Sequence, residues 1–524
     1  MNKINLLDCT LRDGGYYNIW KFDNNLVQDY LNVMAKSKID FVEIGFCFFE
    51  KNKTKGPFAY ISEKILKNFE IKKSLKLAVM LNVSDTGENN EEIIKNINSA
   101  FHHKKKDRIK LVRLAFHLEE LDKTILIAKI LKKKKYMVGL NLMQISEIKF
   151  KKIKDIFKKI DKSFVDVFYF ADSLGSLELT QTKKIINLIK KYWKKPIGIH
   201  AHDNQSLALE NSKVAIKEGA TFIDSTVLGM GRGPGNVKTE NILSLVNRSP
   251  IYEISNLIEK HFFELKKKYN WGTNHFYYLS AKYKIHPTYI QKMLEGNRYD
   301  HNQILLAIDI LKDINAKSFN PTKLNFSTKF YVGKPKGKWF PDNFKKRKIL
   351  ILANGEELYK NTKKINIFIK KENPIILSLN ELKNSRIKRI DFITMCNPSR
   401  IFIELNNLKN KKARIIAPFS MIPKKIFSKK KINKSYDYGA VVKADKIEVN
   451  KNYCLIPNFL ALSYALCIAI AGGGENIIFA GLDGYSDNVV QKKETDNTLK
   501  LFQKQHKKLV IKSLTPTKYK IKKI

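Results

Sequence analysis

Two segments far apart in the chain carry side chains that could bind a metal ion. The segment LLDCTLRDGGYYN places Arg12 and Asp13 before two glycines, and the segment HAHDN places His200 and His202 two positions apart. Residues i and i+2 of a strand face the same side, so both imidazoles can reach one ion. A carboxylate with two imidazoles suits Mn²⁺, Mg²⁺, Co²⁺ or Zn²⁺ at a catalytic site.

Three further polar side chains interrupt or follow apolar runs. Glu43 lies in VEIGF, Asp172 in FADSLGS, and Asn236 ends GMGRGPGN. The amide oxygen of Asn236 could complete the ligand set. Glu43 either orders water beside the ion or is a polar group of the interior, and Asp172 is expected to form structural hydrogen bonds. An isolated pair of histidines is more often part of a hydrogen-bonded core, so the metal prediction depends on whether these groups meet.

The elements that must position these groups repeat regularly over about the first 230 residues. Eight short apolar or β-branched runs begin about 26 to 37 residues apart, and amphipathic Lys-rich stretches separate them. Strands that alternate with helices indicate a parallel sheet, and eight such units predict a (β/α)8 TIM barrel in an α/β protein. An open doubly wound sheet is the alternative, but no GxGxxG turn follows the first run. The predicted strands are residues 4–11, 41–46, 75–82, 109–116, 136–144, 165–172, 196–202 and 222–229.

A barrel would bring the polar groups together at one rim. Functional residues of such barrels lie at the C-terminal ends of the strands, and strand eight pairs with strand one when the barrel closes. We therefore expect the first strand to end in Arg12 and Asp13. The side chains of His200, His202 and Asn236 should converge on the same rim, which predicts a metal site.

Four of these segments together resemble the motifs of a known superfamily. LDCTLRDGG, VEIGF, HAHDN and GMGRGPGN are similar to motifs of the DRE-TIM metallolyases, the HMG-CoA lyase-like barrels, over roughly residues 1–300. The branch that the segments resemble most is the 4-hydroxy-2-oxovalerate aldolase type. The resemblance implies that Arg12 stabilises an enolate and that the metal ligands are Asp13, His200, His202 and Asn236.

The same resemblance implies a reaction. The enzyme would be a carbon–carbon lyase that joins or splits a 2-oxo acid, expected to be pyruvate, and an aldehyde. A divalent cation, with Mn²⁺ as the first expectation, would act as the Lewis acid that stabilises the enolate. Two alternatives stay open: a Claisen-type acyl-CoA lyase or synthase, and a polysaccharide-assembly transferase or scaffold with a degenerate barrel.

The sequence departs from the aldolase branch at one place. That branch carries an acid/base histidine a few residues after its RDG, whereas this chain has GGYYNIW. Tyr16 or Tyr17 could transfer the proton instead. Tyr289 in HPTYI is a candidate from outside the barrel, because the aldolases use a tyrosine of their helical appendage, and its alternative role is packing.

The pattern of the chain changes twice after the barrel. We predict a barrel domain over 1–250, a helical appendage over 251–335, a linker over 336–348 and a Rossmann-like α/β domain over 349–524. INIFIK is among the strands predicted for the last domain. This domain faintly resembles sialyltransferase-like and pterin-diphosphokinase-like proteins of surface-polysaccharide synthesis. Its first turn, ILILANGEEL, lacks the Gly-x-Gly-Pro-Ser turn of that family. Nucleotide-sugar binding and a non-catalytic role are therefore equal alternatives for this domain. If the domain belongs to glycan synthesis, the aldehyde substrate of the barrel could be sugar-derived.

Composition limits the partners. The net charge of +47 comes mostly from Lys spread along all 524 residues, whereas nucleic-acid recognition favours clustered Arg, so we expect no specific nucleic-acid partner. The apolar segment IPNFLALSYALCIAIAGGG contains Pro and Asn and predicts a buried helix with no membrane span. Five scattered cysteines and no signal pattern predict a cytoplasmic protein. A homo-oligomer stays open.

Overall fold

The computed structural model divides into two compact units, which are described separately. The first comprises Met1–Lys292 with Lys312–Phe319, and the second comprises Met293–Leu311 with Asn320–Ile524. The predicted boundaries at residues 250, 335 and 348 stay predictions. The structure describes residues 3–102, 108–248, 251–295, 299, 301–320, 334–382, 386–397, 401, 414–421, 435–443, 446–458, 460–474, 476–485, 490–506 and 510–524.

The first unit contains a closed barrel of eight strands in sequential order. Every neighbouring pair is parallel, and β1 pairs with both β2 and β8, which closes the sheet. The predicted (β/α)8 barrel is therefore confirmed. The strands are β1 (Asn5–Asp8), β2 (Phe41–Phe46), β3 (Lys76–Asn82), β4 (Ile109–Phe116), β5 (Met137–Leu142), β6 (Val167–Asp172), β7 (Ile197–Ala201) and β8 (Phe222–Ser225).

Helices surround the barrel because each has one apolar face. In the helix Asn24–Lys36, the carboxylate of Asp23 caps the first turn, and the buried side chains Val27, Tyr30, Leu31 and Met34 recur at helical spacing. The other helices of the barrel region are Thr10–Asp13, Gly15–Asn18, Glu63–Leu66, Asn90–Ala100, Leu121–Lys133, Phe150–Lys159, Leu179–Tyr192, Ala208–Lys217 and Thr239–Leu245.

The first strand is shorter than predicted, which corrects the placement of Arg12 and Asp13. The strand ends at Asp8, and both residues lie on the helical turn Thr10–Asp13 that follows it. The buried carboxylate of Asp8 accepts hydrogen bonds from the Thr10 backbone N–H at 2.9 Å and from the Tyr30 hydroxyl at 2.5 Å. This local cap turns the chain out of the sheet. The eighth strand likewise ends at Ser225 and not at residue 229.

Helices follow the barrel, as the sequence indicates. They are Ile251–Leu257, the π-helical turn Ile258–Phe262, Phe263–Tyr269, His275–Lys282, Pro287–Leu294 and His301–Asp313. Residues 321–333 of the predicted appendage lie outside the described residues.

The second unit is an α/β unit of its own, as predicted. Its main sheet has the order β13-β12-β11-β10-β9-β17-β18-β19, with parallel neighbours throughout, and a three-stranded sheet has the order β14-β16-β15. The strands are β9 (Ile349–Leu352), β10 (Ile375–Leu379), β11 (Phe392–Thr394), β12 (Arg414–Ala417), β13 (Ser435–Asp437), β14 (Gly439–Val442), β15 (Glu448–Val449), β16 (Tyr453–Ile456), β17 (Asn476–Ala480), β18 (Val510–Ser513) and β19 (Lys522–Lys523). The helices are Glu356–Lys360, Thr362–Glu372, Ala461–Ala471 and Val490–Gln505.

Two segments of this unit can be compared with the secondary structure predicted from the sequence. The strand predicted for INIFIK is wrong, because the segment lies in the helix Thr362–Glu372, whose buried Ile365 and Ile369 are one turn apart. The apolar segment before the triple glycine forms the buried helix Ala461–Ala471, as predicted. Among the described residues, no helix is both long enough and apolar enough to cross a bilayer.

Candidate metal centre

Three of the predicted ligands meet at the C-terminal rim of the barrel. The Nε2 atom of His200 lies 3.4 Å from Oδ2 of Asp13 and 3.1 Å from Nδ2 of Asn236. His202, one residue beyond β7, forms an isolated backbone bridge with Asn236, and its ring centroid is 5.0 Å from that of His200. All four side chains are buried. The fold thus brings Asp13, His200 and Asn236 into contact, and it places the ring of His202 next to that of His200.

Several polar atoms here have no hydrogen-bond partner, although they are buried. They are Oδ2 of Asp13, Oδ1 of Asn236 and Nδ1 of His202. A Cβ atom added at Gly231 would lie 2.0 Å from Oδ1 of Asn236 and 3.2 Å from Oδ2 of Asp13, so the glycine leaves a cradle that both oxygens border. Buried polar atoms are costly without a partner, and this set of oxygen and nitrogen donors suits a divalent cation.

Asp13 and His202 are in the protonation states that metal binding requires, whereas the hydrogen bonds of His200 to Asp13 and Asp224 outweigh burial and raise the pKa of His200. Burial would raise the pKa of Asp13, but Arg12 and His200 outweigh it, and the pKa lies well below its usual value. Asp13 is therefore a carboxylate at neutral pH. Burial, together with the nearby His200, holds the pKa of His202 well below its usual value, so this imidazole is neutral and has a lone pair to offer.

The guanidinium of Arg12 is held by two carboxylates. Its Nε donates to Oε2 of Glu43 at 2.7 Å, and its Nη1 donates to Oδ1 of Asp13 at 2.8 Å. The third nitrogen, Nη2, is buried and has no hydrogen-bond partner. Glu43 therefore orients Arg12, while the N–H groups of Nη2 remain available to donate to another group.

Sequence reasoning missed Asp224 and Arg113. Asp224 Oδ2 accepts a hydrogen bond from Nδ1 of His200 at 2.8 Å and from Nη2 of Arg113 at 2.6 Å. The Nη1 atom of Arg113 also lies 3.5 Å from Oε1 of Glu43. The chain of contacts is cyclic and runs through Asp13, Arg12, Glu43, Arg113, Asp224 and His200.

A signal in the sequence could have found this second layer of charges. Phe41, Leu111 and Phe222 form part of an apolar cluster inside the barrel. Glu43, Arg113 and Asp224 follow them by two positions each and are fully or almost fully buried. Because residues two apart on a strand share a face, a single charge inside each apolar run predicts an inward-facing polar layer next to the rim.

Cys9 lies close to the ligands but is a poor candidate. One ligand atom each of Cys9, Asp13 and His200 falls within 4.8 Å of the others. The Cys9 thiol donates to the Ser225 carbonyl, with Sγ 3.4 Å from the oxygen, and burial raises its pKa well above the usual value. It remains a thiol at neutral pH, whereas metal binding requires the thiolate.

The tyrosines predicted for proton transfer lie in different surroundings. The Tyr17 hydroxyl donates to the Gly233 carbonyl at 2.6 Å, whereas the ring of Tyr16 lies 5.6 Å from the Arg232 guanidinium. Burial raises the pKa of Tyr16, so its phenol stays protonated at neutral pH. Tyr289 is buried, and its hydroxyl donates to the Ser318 carbonyl at 2.9 Å, which is a contact between two residues beyond the barrel.

Comparison with known proteins assigns the barrel to a family. Residues 3–260 match the family described as HMGL-like. This barrel belongs to the HMGL-like family. The N-terminal domain of a putative aldolase from Bacteroides vulgatus is 32% identical and superposes with a TM-score of 0.50 over 58% of this chain and 99% of that domain.

Curated relatives of the HMGL-like barrel match only parts of their own length. The 4-hydroxy-2-oxovalerate aldolase of Brevibacillus brevis is 44% identical over 86 residues, which are 16% of this chain and 25% of that protein. The 4-hydroxy-2-oxovalerate aldolase of Carboxydothermus hydrogenoformans is 29% identical over 251 residues, which are 47% of this chain and 70% of that protein. Neither match extends over the whole relative.

Asp172, which lies within the HMGL-like match, is a structural hydrogen-bond acceptor. Asp172 accepts hydrogen bonds from the backbone N–H groups of Ser176 and Leu177 at 2.9 and 3.0 Å, and burial raises its pKa to about 6.

In the second unit, Oδ2 of Asp483 accepts a hydrogen bond from the Glu357 backbone N–H at 2.9 Å. This carboxylate covers the helix start where a phosphate would bind, which disfavours nucleotide binding there.

Proposed function

We propose that the barrel is a divalent-cation-dependent aldolase that acts on a 2-oxo acid, with pyruvate and an aldehyde as the partners that are joined or released. One observation carries this proposal: Oδ2 of Asp13 and Nε2 of His200 face each other at 3.4 Å beside the unpartnered Oδ1 of Asn236. Since Nδ1 of His200 donates to Asp224, its Nε2 is the ring nitrogen that faces Asp13. Burial would lower the pKa of His200, but its hydrogen bonds to Asp13 and Asp224 raise it. A proton held between Nε2 of His200 and Oδ2 of Asp13 satisfies this contact when no metal is bound, and a divalent cation that binds both atoms would displace that proton. The aldolase names of the relatives support this reading.

The ligands would be Asp13, His200, His202 and Asn236, and Mn²⁺ is the cation that we propose. When bound, the cation supplies Lewis acidity that stabilises the enolate of the 2-oxo acid. The proposed ligands include a carboxylate, imidazoles and an amide oxygen, and such a mixed set of oxygen and nitrogen donors also suits Mg²⁺, Co²⁺ and Zn²⁺. These cations are alternatives to be compared with Mn²⁺ in the exchange assay described below.

Arg12 supplies the fixed positive charge that the reaction needs. Glu43 and Asp13 use its Nε and Nη1, which leaves the buried Nη2 to donate to the oxygen that becomes negative in the enolate. The guanidinium is already oriented before the substrate binds, so little reorganisation is required during the reaction. One such donor is typically worth about 10²–10³ in rate.

Tyr16 is the proton-transfer group that we favour within this site. Its phenol is protonated at neutral pH, as that of an ordinary tyrosine is, and burial raises its pKa further, so it can donate a proton to a strongly basic oxygen such as an alkoxide. The Tyr17 hydroxyl already donates to the Gly233 carbonyl. We expect Tyr16→Phe to lower turnover by at least about tenfold and Tyr17→Phe by less, since general acid–base groups typically contribute 10²–10⁴. Equal losses in a steady-state assay of both variants would contradict this assignment.

The test of the proposal is enolisation of pyruvate without any aldehyde. With Mn²⁺ in deuterated water, the wild-type protein should exchange deuterium into the methyl group of pyruvate, as followed by NMR. Asp13→Asn should abolish the exchange, whereas Asp172→Asn, which changes a buried carboxylate that bonds to backbone N–H groups, should retain it. Exchange by Asp13→Asn at the wild-type rate would disprove the assignment. Mass spectrometry of pyruvate with a panel of aldehydes then identifies the partner, including sugar-derived ones.

A Claisen-type acyl-CoA lyase or synthase is the second candidate. The observation that favours it is the segment GGYYNIW, which has tyrosines and no histidine where the aldolase branch has its acid/base group. Release of free thiol from acetyl-CoA with a panel of 2-oxo acids separates the two reactions. A degenerate barrel would instead bind fewer than about 0.2 Mn²⁺ ions per chain after incubation with the metal.

A further inference from the structure

Arg232 is held rigidly beside the candidate metal centre. It lies between Gly231, which borders the ligand cradle, and Gly233. The Gly233 backbone N–H donates to Oε1 of Gln291 at 3.1 Å, and the Gly233 carbonyl accepts from the Tyr17 hydroxyl at 2.6 Å. The loop is thus fixed from two sides, and the Arg232 side chain starts from a well-defined position.

The charge of Arg232 is uncompensated, unlike that of the other arginines of the site. Arg12 is paired with Asp13 and Glu43, and Arg113 is paired with Asp224. Within the described ranges, no carboxylate oxygen lies within 4.0 Å of the guanidinium nitrogens of Arg232. Its Nη2 lies 3.4 Å from the Ser173 carbonyl, and its buried Nε has no hydrogen-bond partner. A half-buried cation with unused donors is costly unless an anion completes it.

The groups around Arg232 can accept such an anion. The ring of Tyr16 lies 5.6 Å from its guanidinium carbon. These surroundings hold one cation with an unused donor beside a phenol, and a guanidinium with free N–H groups is what carboxylates and phosphates bind.

We propose that Arg232 forms a subsite for an anionic group, a carboxylate or a phosphate, carried by the aldehyde partner of the reaction. The inference rests on the proposed aldolase function and specifies its substrate class. Arg232 contacts the Ser173 carbonyl and the ring of Tyr16, the proposed proton-transfer group, so it lies beside the reacting centre while its own buried Nε has no hydrogen-bond partner. A substrate could therefore place its carbonyl at the metal centre and its remote anion on Arg232.

The experiment compares matched aldehydes with pyruvate and Mn²⁺. The two pairs are butanal with succinate semialdehyde and glyceraldehyde with glyceraldehyde 3-phosphate. We expect the wild-type protein to prefer the anionic member of one pair in kcat/KM, and Arg232→Met to reduce that preference by about 10- to 100-fold. A preference for succinate semialdehyde over butanal would indicate a carboxylate, and a preference for glyceraldehyde 3-phosphate over glyceraldehyde would indicate a phosphate. Arg232→Lys should retain part of the preference, and the exposed Lys213→Met is the matched charge-loss control.

Other outcomes overturn the proposal. A wild-type preference below about threefold in both pairs would do so, as would a preference that Arg232→Met retains. If Arg232→Met instead raises the KM for pyruvate in the exchange assay by 10- to 100-fold, Arg232 binds the 2-oxo acid, and the subsite assignment is also wrong.

Direct binding separates this proposal from the proposed function. Calorimetric titration of inorganic phosphate and malonate into the wild-type and Arg232→Met proteins measures anion binding without turnover. Binding that is at least about tenfold weaker in Arg232→Met supports the subsite even if the protein exchanges no deuterium into pyruvate, in which case the aldolase assignment alone fails. Intact exchange with no Arg232-dependent binding or preference overturns the subsite alone.

Discussion

Asp224 offers the sharpest test of how the barrel positions its ligands. Its Oδ2 accepts from Nδ1 of His200 at 2.8 Å, which orients the ring so that Nε2 points at Asp13 and can bind a cation once its proton is released. In Asp224→Asn, the amide can present an N–H to Nδ1 of His200. The imidazole would then carry its proton on Nε2, and the nitrogen that faces Asp13 could no longer bind a cation.

Two effects of this substitution can be sized from the structure. Loss of a group that orients a metal-binding histidine typically weakens metal affinity by about 10–100-fold, which is about 1.4–2.8 kcal/mol. Separately, Arg113 would lose the charge of its closest partner, at 2.6 Å, and keep only Glu43 at 3.5 Å. Breaking a buried pair costs about 3–5 kcal/mol, and the value here should lie at the lower end because the Asn oxygen still accepts a hydrogen bond.

The two effects are separated by measuring Mn²⁺ affinity by titration and unfolding by denaturant without metal. Asp224→Asn should lower both the affinity and the free energy of unfolding, whereas Asp172→Asn should keep the affinity within about threefold of wild type. A variant Asp224→Asn that binds Mn²⁺ as tightly as wild type and exchanges pyruvate at the wild-type rate would refute the reasoning about the His200 tautomer.

Three further predictions follow from the same geometry. Arg12→Lys, which cannot serve Glu43, Asp13 and the substrate together, should slow deuterium exchange by about 10²–10³ with Mn²⁺ affinity reduced far less; equal losses in both would contradict a role in enolate stabilisation. Gly231→Ala would place its Cβ 2.0 Å from Oδ1 of Asn236 and should weaken Mn²⁺ binding by at least about tenfold in calorimetry, and unchanged affinity would place the cation elsewhere. Burial raises the pKa of Asp172 to about 6, so the stability that its neutral form provides is complete below its unfolded pKa and is lost as the pH rises through 6. Denaturant titrations should show about 3 kcal/mol less stability at pH 7 from this group, and Asp172→Asn should remove that pH dependence.

The order and number of strands could be predicted from the sequence because they depend on local pattern. Each barrel strand is a short apolar run followed by an amphipathic stretch, and eight such units specify a closed parallel sheet. The polar residues at the ends of these runs then fall on one rim, since all parallel strands end there. The segment INIFIK shows the limit of the method: a short apolar run can belong to a strand or to the buried face of a helix, and here it lies in Thr362–Glu372.

Contacts between distant residues could only come from the tertiary structure. The Arg113–Asp224 pair joins positions 111 residues apart, and no local pattern indicates which buried charges neutralise each other. The helical turn that carries Arg12 and Asp13 likewise depends on Tyr30, which hydrogen-bonds to the Asp8 carboxylate from the following helix. The sequence alone determined which segments reach the rim, because the strands that precede them follow from local apolar runs. The fold decided which of them are charged, neutral or unpaired, because burial and distance between remote side chains set their protonation and their partners.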